Sequence, residues 1–323
     1  MFEIPILYLA YNRPKITKKT LGKISNLNPY KVYISVDGAK NTFSDKSKVK
    51  EVKNIINKIT KLKPKIKIKK KYNLKNLGCK KSNLEAINWF FKNETKGIII
   101  EDDCLIDKIF LSFCKKMLEK YKYNKKIYCI SGSNFQHKKI QKESYYYSKY
   151  NHCWGWATWR DRWRFNNSEI TFWPKFKNSE QWNKLHQDNI EKKFWNKIFD
   201  NVFKNNIDSW AYPWTLSVWK KKGITITPTS NLVKNIGFGY ESTHSVFLEK
   251  KVDYLNKSKL EKKFIYPKKI EINHQADQFV FENHFKGKNY IFPYRIFYLT
   301  KILISNPMAF FFKIFKILKR NYK

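Results

Sequence analysis

The first hundred residues alternate short apolar runs with longer charged helical patterns, and this alternation leaves few possible folds. Apolar runs at 4–10, 31–36 and 97–100, with an alternating Ile-Lys run from 66, are separated by helical patterns. Strands and helices at this spacing predict a parallel α/β sheet with crossover helices. Such sheets bind ligands beyond the carboxyl ends of their strands. We therefore expect functional residues directly after the strands, first of all Arg13, Asp37 and the acids after Ile100.

The charge balance limits the classes of partner. The chain carries 66 basic and 26 acidic residues, a formal charge of +40, and only six of the basic residues are Arg. Because nucleic-acid readers usually rely on Arg for bidentate contacts, an excess of Lys spread along the chain argues against a nucleic-acid partner. It favours attraction to an anionic membrane or an anionic substrate. Glycine-rich phosphate loops of the GxGxxG and GxxxxGK[ST] types are absent, which argues against Rossmann dehydrogenases and P-loop enzymes.

Cysteine usage and hydropathy predict the compartment. Five Cys without a CxxC pair indicate reduced thiols of a cytoplasmic protein rather than a disulfide framework. The first apolar run is too short for a signal peptide, and no run of 18 apolar residues spans a bilayer.

Three consecutive acids, Glu101, Asp102 and Asp103, follow the apolar run Ile98–Ile100. At a strand end, one or two carboxylates together with a diphosphate form the oxygen-rich shell that Mg²⁺ or Mn²⁺ requires. The alternative interpretation is an acidic turn in which Asp103 caps the next helix, since 105–120 has a helical pattern.

The C-terminal residues mix aromatic and aliphatic side chains with Lys and Arg from Tyr290 onwards, and Asn306-Pro307 divides them into two pieces. In the second piece, 308–319, Phe311, Phe312, Phe315 and Leu318 recur at helical spacing among lysines. This composition is typical of an interfacial helix on an anionic leaflet. The alternative is a terminal helix that packs on the core of its own domain.

Five blocks of sequence resemble a known family when they are taken together and in order. They are PILYLAYNRP (5–14), NLGCKKSNLEAINWFF (76–91), GIIIEDDCL (97–105), HCWGWATWRDRW (152–163) and NLVKNIGFGYESTHS (231–245). The chain resembles bacterial, family 2-like nucleotide-diphospho-sugar transferases of the GT-A fold. More distantly, it is similar to the eukaryotic N-acetylglucosaminyltransferase that initiates hybrid and complex N-glycans. The resemblance extends from residue 5 to about 245 and does not specify a sugar.

The resemblance implies a fold and a metal site. The fold would be α/β of the GT-A type, a Rossmann-like, mostly parallel sheet flanked by helices, with a Trp-rich acceptor-side half and a C-terminal helical tail. Asp103 matches the direct ligand of Mn²⁺ or Mg²⁺. Asp102 matches a ribose or outer metal contact, and Glu101 belongs to the same donor-binding motif.

The resemblance also implies the donor-binding residues. Arg13 matches a position beside the nucleotide base and phosphates, and Asp37 matches an acid that accepts a hydrogen bond from the base. Lys81, just before a helix, would face the diphosphate together with free N–H groups. For Lys81 the alternative is an ordinary surface lysine.

Residues 152–165 hold four Trp and three of the six Arg. Trp beside Arg can stack on sugars and pair with anionic groups, but Trp156, Trp159 and Trp163 also recur at the core spacing of a helix. We expect most of these Trp in the core, with Trp154 and Gly155 at the sugar-binding edge.

A transferase that inverts the anomeric centre needs a carboxylate that accepts the proton of the attacking hydroxyl. Where relatives often read WDYQW, this chain has Trp210-Ala-Tyr-Pro-Trp214. The role therefore passes to Asp208, on the loop before a helix that contains Pro213, and a helix-entry cap is its alternative role. The following Gly-rich block contains His244, which we expect to contact the diphosphate or to stand as a third group beside the metal; a packed loop histidine is the alternative.

These expectations combine into one interpretation. Residues 1–135 form the nucleotide-sugar-binding half, 136–250 the acceptor-side half of the same domain, and 251–323 a C-terminal extension with a basic amphipathic tail. The enzyme would be a metal-dependent hexosyl- or N-acetylhexosaminyltransferase at the inner face of the membrane. It would use a UDP-linked donor and the hydroxyl of a cell-surface glycan or lipid-linked saccharide. Alternatives are a sugar nucleotidyltransferase, whose N-terminal glycine-rich signature is missing here, and a non-catalytic basic protein that binds membrane or nucleic acid.

Overall fold

One sheet of eight strands organises the protein, whose computed structural model describes residues 1–186, 188–237 and 264–311. The strands are β1 (Ile6–Ala10), β2 (Lys31–Val36), β3 (Lys67–Tyr72), β4 (Lys96–Glu101), β5 (Cys104–Leu105), β6 (Ile127–Ser131), β7 (Tyr145–Ser148), β8 (Trp156–Trp159), β9 (Ile224–Pro228) and β10 (Lys234–Asn235). The large sheet has the order β3-β2-β1-β4-β8-β6-β9-β7, and β5 pairs with β10 in a separate ribbon.

The helices connect and cover these strands. They are α1 (Pro14–Asn26), α2 (Phe43–Leu62), α3 (Gly78–Asn93), α4 (Lys108–Lys120), α5 (Arg160–Trp163), α6 (Trp173–Phe176), α7 (Glu180–Leu185), α8 (Asn189–Phe203), α9 (Ala211–Lys220), α10 (His274–Phe279) and α11 (Tyr294–Ser305). A π-helical turn, Val280–His284, and a 3₁₀ turn, Gly287–Tyr290, lie between α10 and α11.

The first four strands of the sheet run parallel, as the alternation of apolar and helical segments predicts. β1 pairs in parallel with β2 and β4, and β2 pairs in parallel with β3. Farther along, β8 runs antiparallel between β4 and β6, while β9 is parallel to β6 and β7 closes the edge antiparallel. The predicted α/β class, with a mostly parallel sheet flanked by helices, is confirmed.

Both faces of the sheet are buried, which explains the continuous apolar runs of β1 and β4. Successive residues of a strand point to opposite faces. Ile98 therefore joins the core formed with α1, α2 and α4, whereas Ile99 joins the core formed with α3 and α9.

The tryptophan block differs in part from the prediction. Trp156 and Trp159 are buried as expected, but they belong to β8 rather than to a helix. A central position between β4 and β6 buries both faces of this segment, so core spacing arises there without a helix. Of the block's four Trp, only Trp163 lies in a helix, the short α5.

The second half builds a further core from aromatic side chains. Trp173, Trp182, Trp195 and Trp219 are each at most 1% exposed and pack with residues of the C-terminal segment such as Phe281. Most tryptophans outside the block are therefore core residues.

The described part of the C-terminal tail lies on the surface. No residue of α11 is buried, and within residues 1–186, 188–237 and 264–311 there is no helix long and apolar enough to cross a membrane. Tyr294–Ser305 is therefore not a core helix, whereas the alternative of a core-packed helix concerns 308–319, of which residues 312–319 lie outside the described residues. Phe312, Phe315, Leu318 and the basic residues among them lie outside the described residues.

Candidate active site

The ends of β1 and β4 bring Arg13 and the acidic cluster together. Leu9 pairs with Glu101 in parallel register, so the residues after both strands lie at the same edge of the sheet. The Arg13 guanidinium donates from Nε to Asp102 Oδ2 over 3.2 Å and from Nη1 to Asp103 Oδ2 over 3.2 Å. It also forms a closer ion pair with Asp102 Oδ1. One cation thus holds two of the three neighbouring carboxylates.

The cluster carries more negative charge than Arg13 balances. Burial, followed by the charges of Asp103 and Asp102, raises the pKa of Glu101 above its ordinary value. Burial also raises the pKa of Asp102, although Arg13 opposes this effect. Three acids beside one arginine, in a place of low solvent access, favour a bound cation.

The donor set fits a divalent metal that shares its shell with a ligand. Asp103 is partly accessible, with 13% of its side chain exposed. Among the described residues, no group of three or more His, Cys, Asp or Glu side chains is arranged to hold a metal by itself. Mg²⁺ and Mn²⁺ are commonly bound through one or two carboxylates plus substrate phosphates, and that incomplete protein shell is what this cluster offers.

Asp103 is not a helix cap. The N-cap of α4 is Asp107, whose Oδ1 accepts hydrogen bonds from the amides of Ile109 at 2.9 Å and Phe110 at 3.2 Å. The alternative role considered for Asp103 is therefore wrong.

The chain passes closely over the acidic cluster a second time at Gly237. The Ile236 amide donates to the Asp103 carbonyl over 2.8 Å, and β10 pairs with β5 just beyond the cluster. A Cβ atom at Gly237 would lie 2.4 Å from Asp103 Oδ2 and 2.8 Å from Arg13 Nη1. Any other residue at this position would require the side chain of Asp103 or Arg13 to shift. His244, the predicted diphosphate contact, lies outside the described residues.

Asp37 holds the loop that leads into α3. It is 6% exposed, and its carboxylate accepts hydrogen bonds from the amides of Gly38, Leu77 and Gly78 and from the side chains of Asn73 and Asn76. These contacts range from 2.8 to 3.2 Å. The structure thus places Asp37 at the predicted edge and engages both of its oxygens within the protein.

Asp208 lies at the same helix terminus as Asp37. As predicted, it falls on the loop before α9, and it is exposed. Its Oδ1 accepts a hydrogen bond from the Lys80 amide over 3.2 Å, so it caps α3 rather than the helix that follows it. The first amide of α9, that of Ala211, donates to Ser209 Oγ instead.

Charges from several elements meet around Cys79. Burial, then the carboxylates of Glu101, Asp208 and Asp37, raise the pKa of its thiol to about 12. The ends of β2 and β4 and the loop before α9 therefore face one space at the start of α3. Lys81 lies exposed in the first turn of that helix, and its neighbour Lys80 forms an ion pair with Glu169 at 3.0 Å.

Trp154 and Gly155 lie beside the acidic cluster on its other side. Trp156 pairs with Ile99 in antiparallel register, so the two preceding residues run past the carboxyl end of β4. Gly155 has a positive φ of 64°, and a Cβ there would meet Val233 Cγ2 at 2.8 Å. Trp154 is half-buried.

Two contacts at the site escaped the sequence analysis. Trp210 Nε1 donates to Glu101 Oε1 over 3.2 Å, which joins the Asp208 loop to the acidic cluster. Asp45 accepts hydrogen bonds from Tyr11 and Asn12 and so fixes the residues before Arg13. No local pattern marks either contact, because each joins segments far apart in the chain.

Comparisons with known proteins give no family. No family model and no curated protein matches the sequence. Solved structures with a detectable likeness include a mannosyltransferase from Pyrobaculum calidifontis in complex with GDP-Man and Mn²⁺, at 12% identity and a TM-score of 0.37. That alignment covers 50% of this chain and 45% of the mannosyltransferase, so less than half of the latter is matched.

Two further structures have similar values. A UDP-glucose pyrophosphorylase complexed with UDP-glucose shares 10% identity, with a TM-score of 0.35 and coverage of 70% of this chain and 90% of its own. Mouse xyloside xylosyltransferase 1 shares 7%, with a TM-score of 0.33 and coverage of 68% and 82%. At these scores the likeness says nothing of what this chain binds.

Proposed function

We propose that this chain is a metal-dependent glycosyltransferase that moves a sugar from a nucleotide-diphosphate donor to a hydroxyl of a cell-surface glycan or lipid-linked saccharide. The observation that carries the proposal is the excess of carboxylate charge at the carboxyl end of β4, which one arginine from the end of β1 balances only in part. The family resemblance of the five sequence blocks supports it.

The acidic cluster would hold Mn²⁺ or Mg²⁺ through Asp103, with Asp102 kept in place by Arg13. The metal, when bound, supplies positive charge against the charge that develops on the departing nucleotide diphosphate. Arg13, after β1, and Lys81, in the first turn of α3, would supply further positive charge toward the diphosphate. Asp37 would act on the donor by fixing the loop 73–78, since its oxygens are engaged there.

Asp208 would accept the proton of the acceptor hydroxyl as that oxygen attacks the anomeric carbon, which inverts the configuration. Oδ1 is held by the Lys80 amide, whereas Oδ2 has no hydrogen-bond partner among the described residues. A carboxylate that is fixed through one oxygen and open at the other is suited to general-base work. We take the donor to be UDP-linked and the sugar to be a hexose or N-acetylhexosamine, as the resemblance implies.

We further propose that the protein associates peripherally with the cytoplasmic face of the membrane. Apolar side chains on one side of α11 and after it face solvent, with Phe297 68% and Ile304 83% exposed. Arg295, Tyr298 and Ile302 on the opposite side are less exposed. The sequence from Asn283 to Lys323 contains no Asp or Glu. An exposed apolar stripe within a purely cationic segment fits an anionic leaflet.

The deciding experiment exposes the purified protein to a panel of UDP- and GDP-sugars with Mn²⁺ and measures donor hydrolysis and thermal stabilisation. We expect at least one donor to be hydrolysed and to stabilise the fold. Asp103→Asn should remove both effects without altering the circular dichroism spectrum, because Asp103 is not a core residue. Full activity of this variant, or of the wild type in EDTA, would contradict the metal-dependent mechanism. The matched control is Asp107→Asn, a neighbouring acid that caps α4 and keeps its acceptor oxygen.

A further inference from the structure

Three aromatic rings from distant segments meet at the carboxyl edge of the sheet, next to the site. Phe135 follows β6, Trp154 precedes β8, and His284 ends the π-helical turn of the C-terminal segment. The centroids of Phe135 and His284 lie 3.6 Å apart with the rings stacked, and those of Phe135 and Trp154 lie 5.2 Å apart. All three side chains are half-buried. We call this group the aromatic wall.

Hydrogen bonds between the three segments fix the wall. The Gly132 amide donates to the Gly155 carbonyl over 2.7 Å, and Ser133 Oγ donates to the Trp154 carbonyl over 2.8 Å. Gln136 Nε2 donates to the Ala276 carbonyl over 2.8 Å, which ties the C-terminal segment to the loop after β6. Since Trp154 runs past the end of β4, the fixed wall adjoins the acidic cluster.

A buried amide without partners lies in the loop that carries Trp154. Asn151 is 7% exposed, and neither its Oδ1 nor its Nδ2 has a hydrogen-bond partner among the described residues. Leaving such groups unpaired destabilises the folded protein. The next residue, His152, packs against Phe135 and His284 at 4.4 and 5.6 Å.

These groups match the chemistry of a sugar ring. The C–H face of a pyranose packs on aromatic rings, while its neighbouring hydroxyls pair with an amide that both donates and accepts. Burial lowers the pKa of His284 to about 4, with a contribution from Lys286, and burial also lowers that of His152. Both imidazoles are therefore neutral at physiological pH and can donate as well as accept.

We infer that the aromatic wall and Asn151 form a saccharide subsite that holds the acceptor's pyranose ring against the transfer site. This inference rests on the proposed function for the identity of the acceptor, but saccharide binding itself can be measured without donor or metal. Trp154 of the wall lies two residues before Trp156, whose ring stacks on that of Trp210 in the Asp208 loop at 5.6 Å, so an acceptor ring seated on the wall would lie near that loop.

The test measures binding of the methyl pyranosides of glucose, galactose, mannose and N-acetylglucosamine. Saturation-transfer NMR detects this binding in the absence of nucleotide and metal. We expect binding of at least one by the wild type and a loss of about tenfold in affinity for His284→Ala and for Asn151→Ala, the effect of one lost packing or hydrogen-bonding contact. His274→Ala, an exposed histidine of α10 in the same segment, should bind as the wild type does. If His284→Ala does not fold, Phe135→Leu replaces it, with thermal melts as the check.

Binding of none of these sugars by the wild type, or equal binding by folded wall variants, would overturn the subsite. Calorimetry with UDP, GDP, UDP-glucose and GDP-mannose separates the two proposals. Failure of nucleotide binding would count against the proposed function alone, whereas Asp103→Asn should weaken nucleotide binding and leave the methyl pyranosides bound. Some wall variants could bind a nucleotide sugar more weakly than the wild type does and yet bind the free nucleotide equally well. That result would overturn the assignment to the acceptor, since the sugar ring held by the wall would then be the donor's.

Discussion

A single substitution of Asp208 distinguishes its proposed role as general base from its structural role at the N-terminus of α3. Asn at this position keeps an oxygen for the Lys80 amide, so the α3 cap survives, but it cannot take a proton. We expect Asp208→Asn to lower kcat by about 10²–10⁴, the range for a positioned general base, with little change in donor affinity. Steady-state kinetics with calorimetry of donor binding provides the measurement.

An unchanged kcat for Asp208→Asn would place the base elsewhere. The stereochemistry of the product gives an independent check, because single displacement requires inversion at the anomeric carbon. A retained configuration would contradict the mechanism even if kcat fell.

At the scale of elements, the N-terminus of α3 depends on carboxylates that lie far from it in the chain. Asp37→Ala would leave the amides of Leu77 and Gly78 and the side chains of Asn73 and Asn76 without their acceptor. We expect a loss of about 3 kcal/mol in the free energy of unfolding, as for removal of a buried, multiply bonded charge. Urea unfolding gives the value.

The matched control is Asp107→Ala at the N-terminus of α4. That carboxylate accepts from two amides of its own helix and is an ordinary N-cap, so its loss should cost about 1 kcal/mol. Equal costs for the two variants would show that Asp37 does not hold the loop 73–78 as the contacts indicate.

A carboxyl group that titrates near neutrality lies where the C-terminal segment packs on the sheet. Asp277 is 2% exposed and accepts hydrogen bonds from Ser148 Oγ and from the Lys149 amide, the latter at 2.9 Å. Burial raises its pKa to about 7, although these hydrogen bonds and the Lys149 charge oppose the shift. Because the folded protein then binds the proton more tightly than the unfolded chain, this group's contribution to stability is present below about pH 4 and is lost as the pH rises through about 7.

Asp277→Asn should remove that dependence. Asn can accept from the Lys149 amide and donate to Ser148 Oγ, so both contacts persist. We expect the stability of the variant relative to wild type to rise between about pH 4 and pH 8, by at most about 4 kcal/mol. Urea unfolding at several pH values measures it, and parallel pH profiles for the two proteins would contradict the assignment to Asp277.

At the scale of the whole molecule, the exposed apolar side chains of α11 give one part of the surface the properties of a membrane-binding face. Phe297→Ser combined with Ile304→Ser should reduce binding to anionic vesicles by about tenfold or more, since apolar insertion is lost while the basic residues remain. Co-sedimentation with phosphatidylglycerol vesicles over a range of salt concentrations measures this. The double variant should keep its activity on a soluble acceptor, because neither residue lies at the candidate site.

Phe43→Ser is the matched control, since Phe43 is 90% exposed on α2 in the other half of the protein. Equal losses for the control and the double variant would contradict a specific membrane surface. So would a dimer in solution that only the double variant dissociates, because the stripe would then be an interface between two copies.

The architecture of the first half and the position of the acidic cluster follow from local signals in the sequence. Apolar runs such as Ile98–Ile100, helical periodicity and polar residues after strands are local signals, since each follows from the geometry of one element. They therefore sufficed to predict β1 to β4, the helices between them and the edge at which Arg13 and Glu101–Asp103 meet.

The contacts that those residues make depend on tertiary packing, which the sequence does not reveal. The engagement of Asp37 by the loop 73–78, the hydrogen bond of Asp208 to α3 and the packing of His284 on Phe135 each join segments far apart in the chain. Local sequence patterns do not predict such contacts, because the spacing of residues within one element does not determine which other element packs on it. The Trp156–Trp159 segment shows the same limit, since burial on both faces by β4 and β6 made a strand of a pattern that also fits a helix.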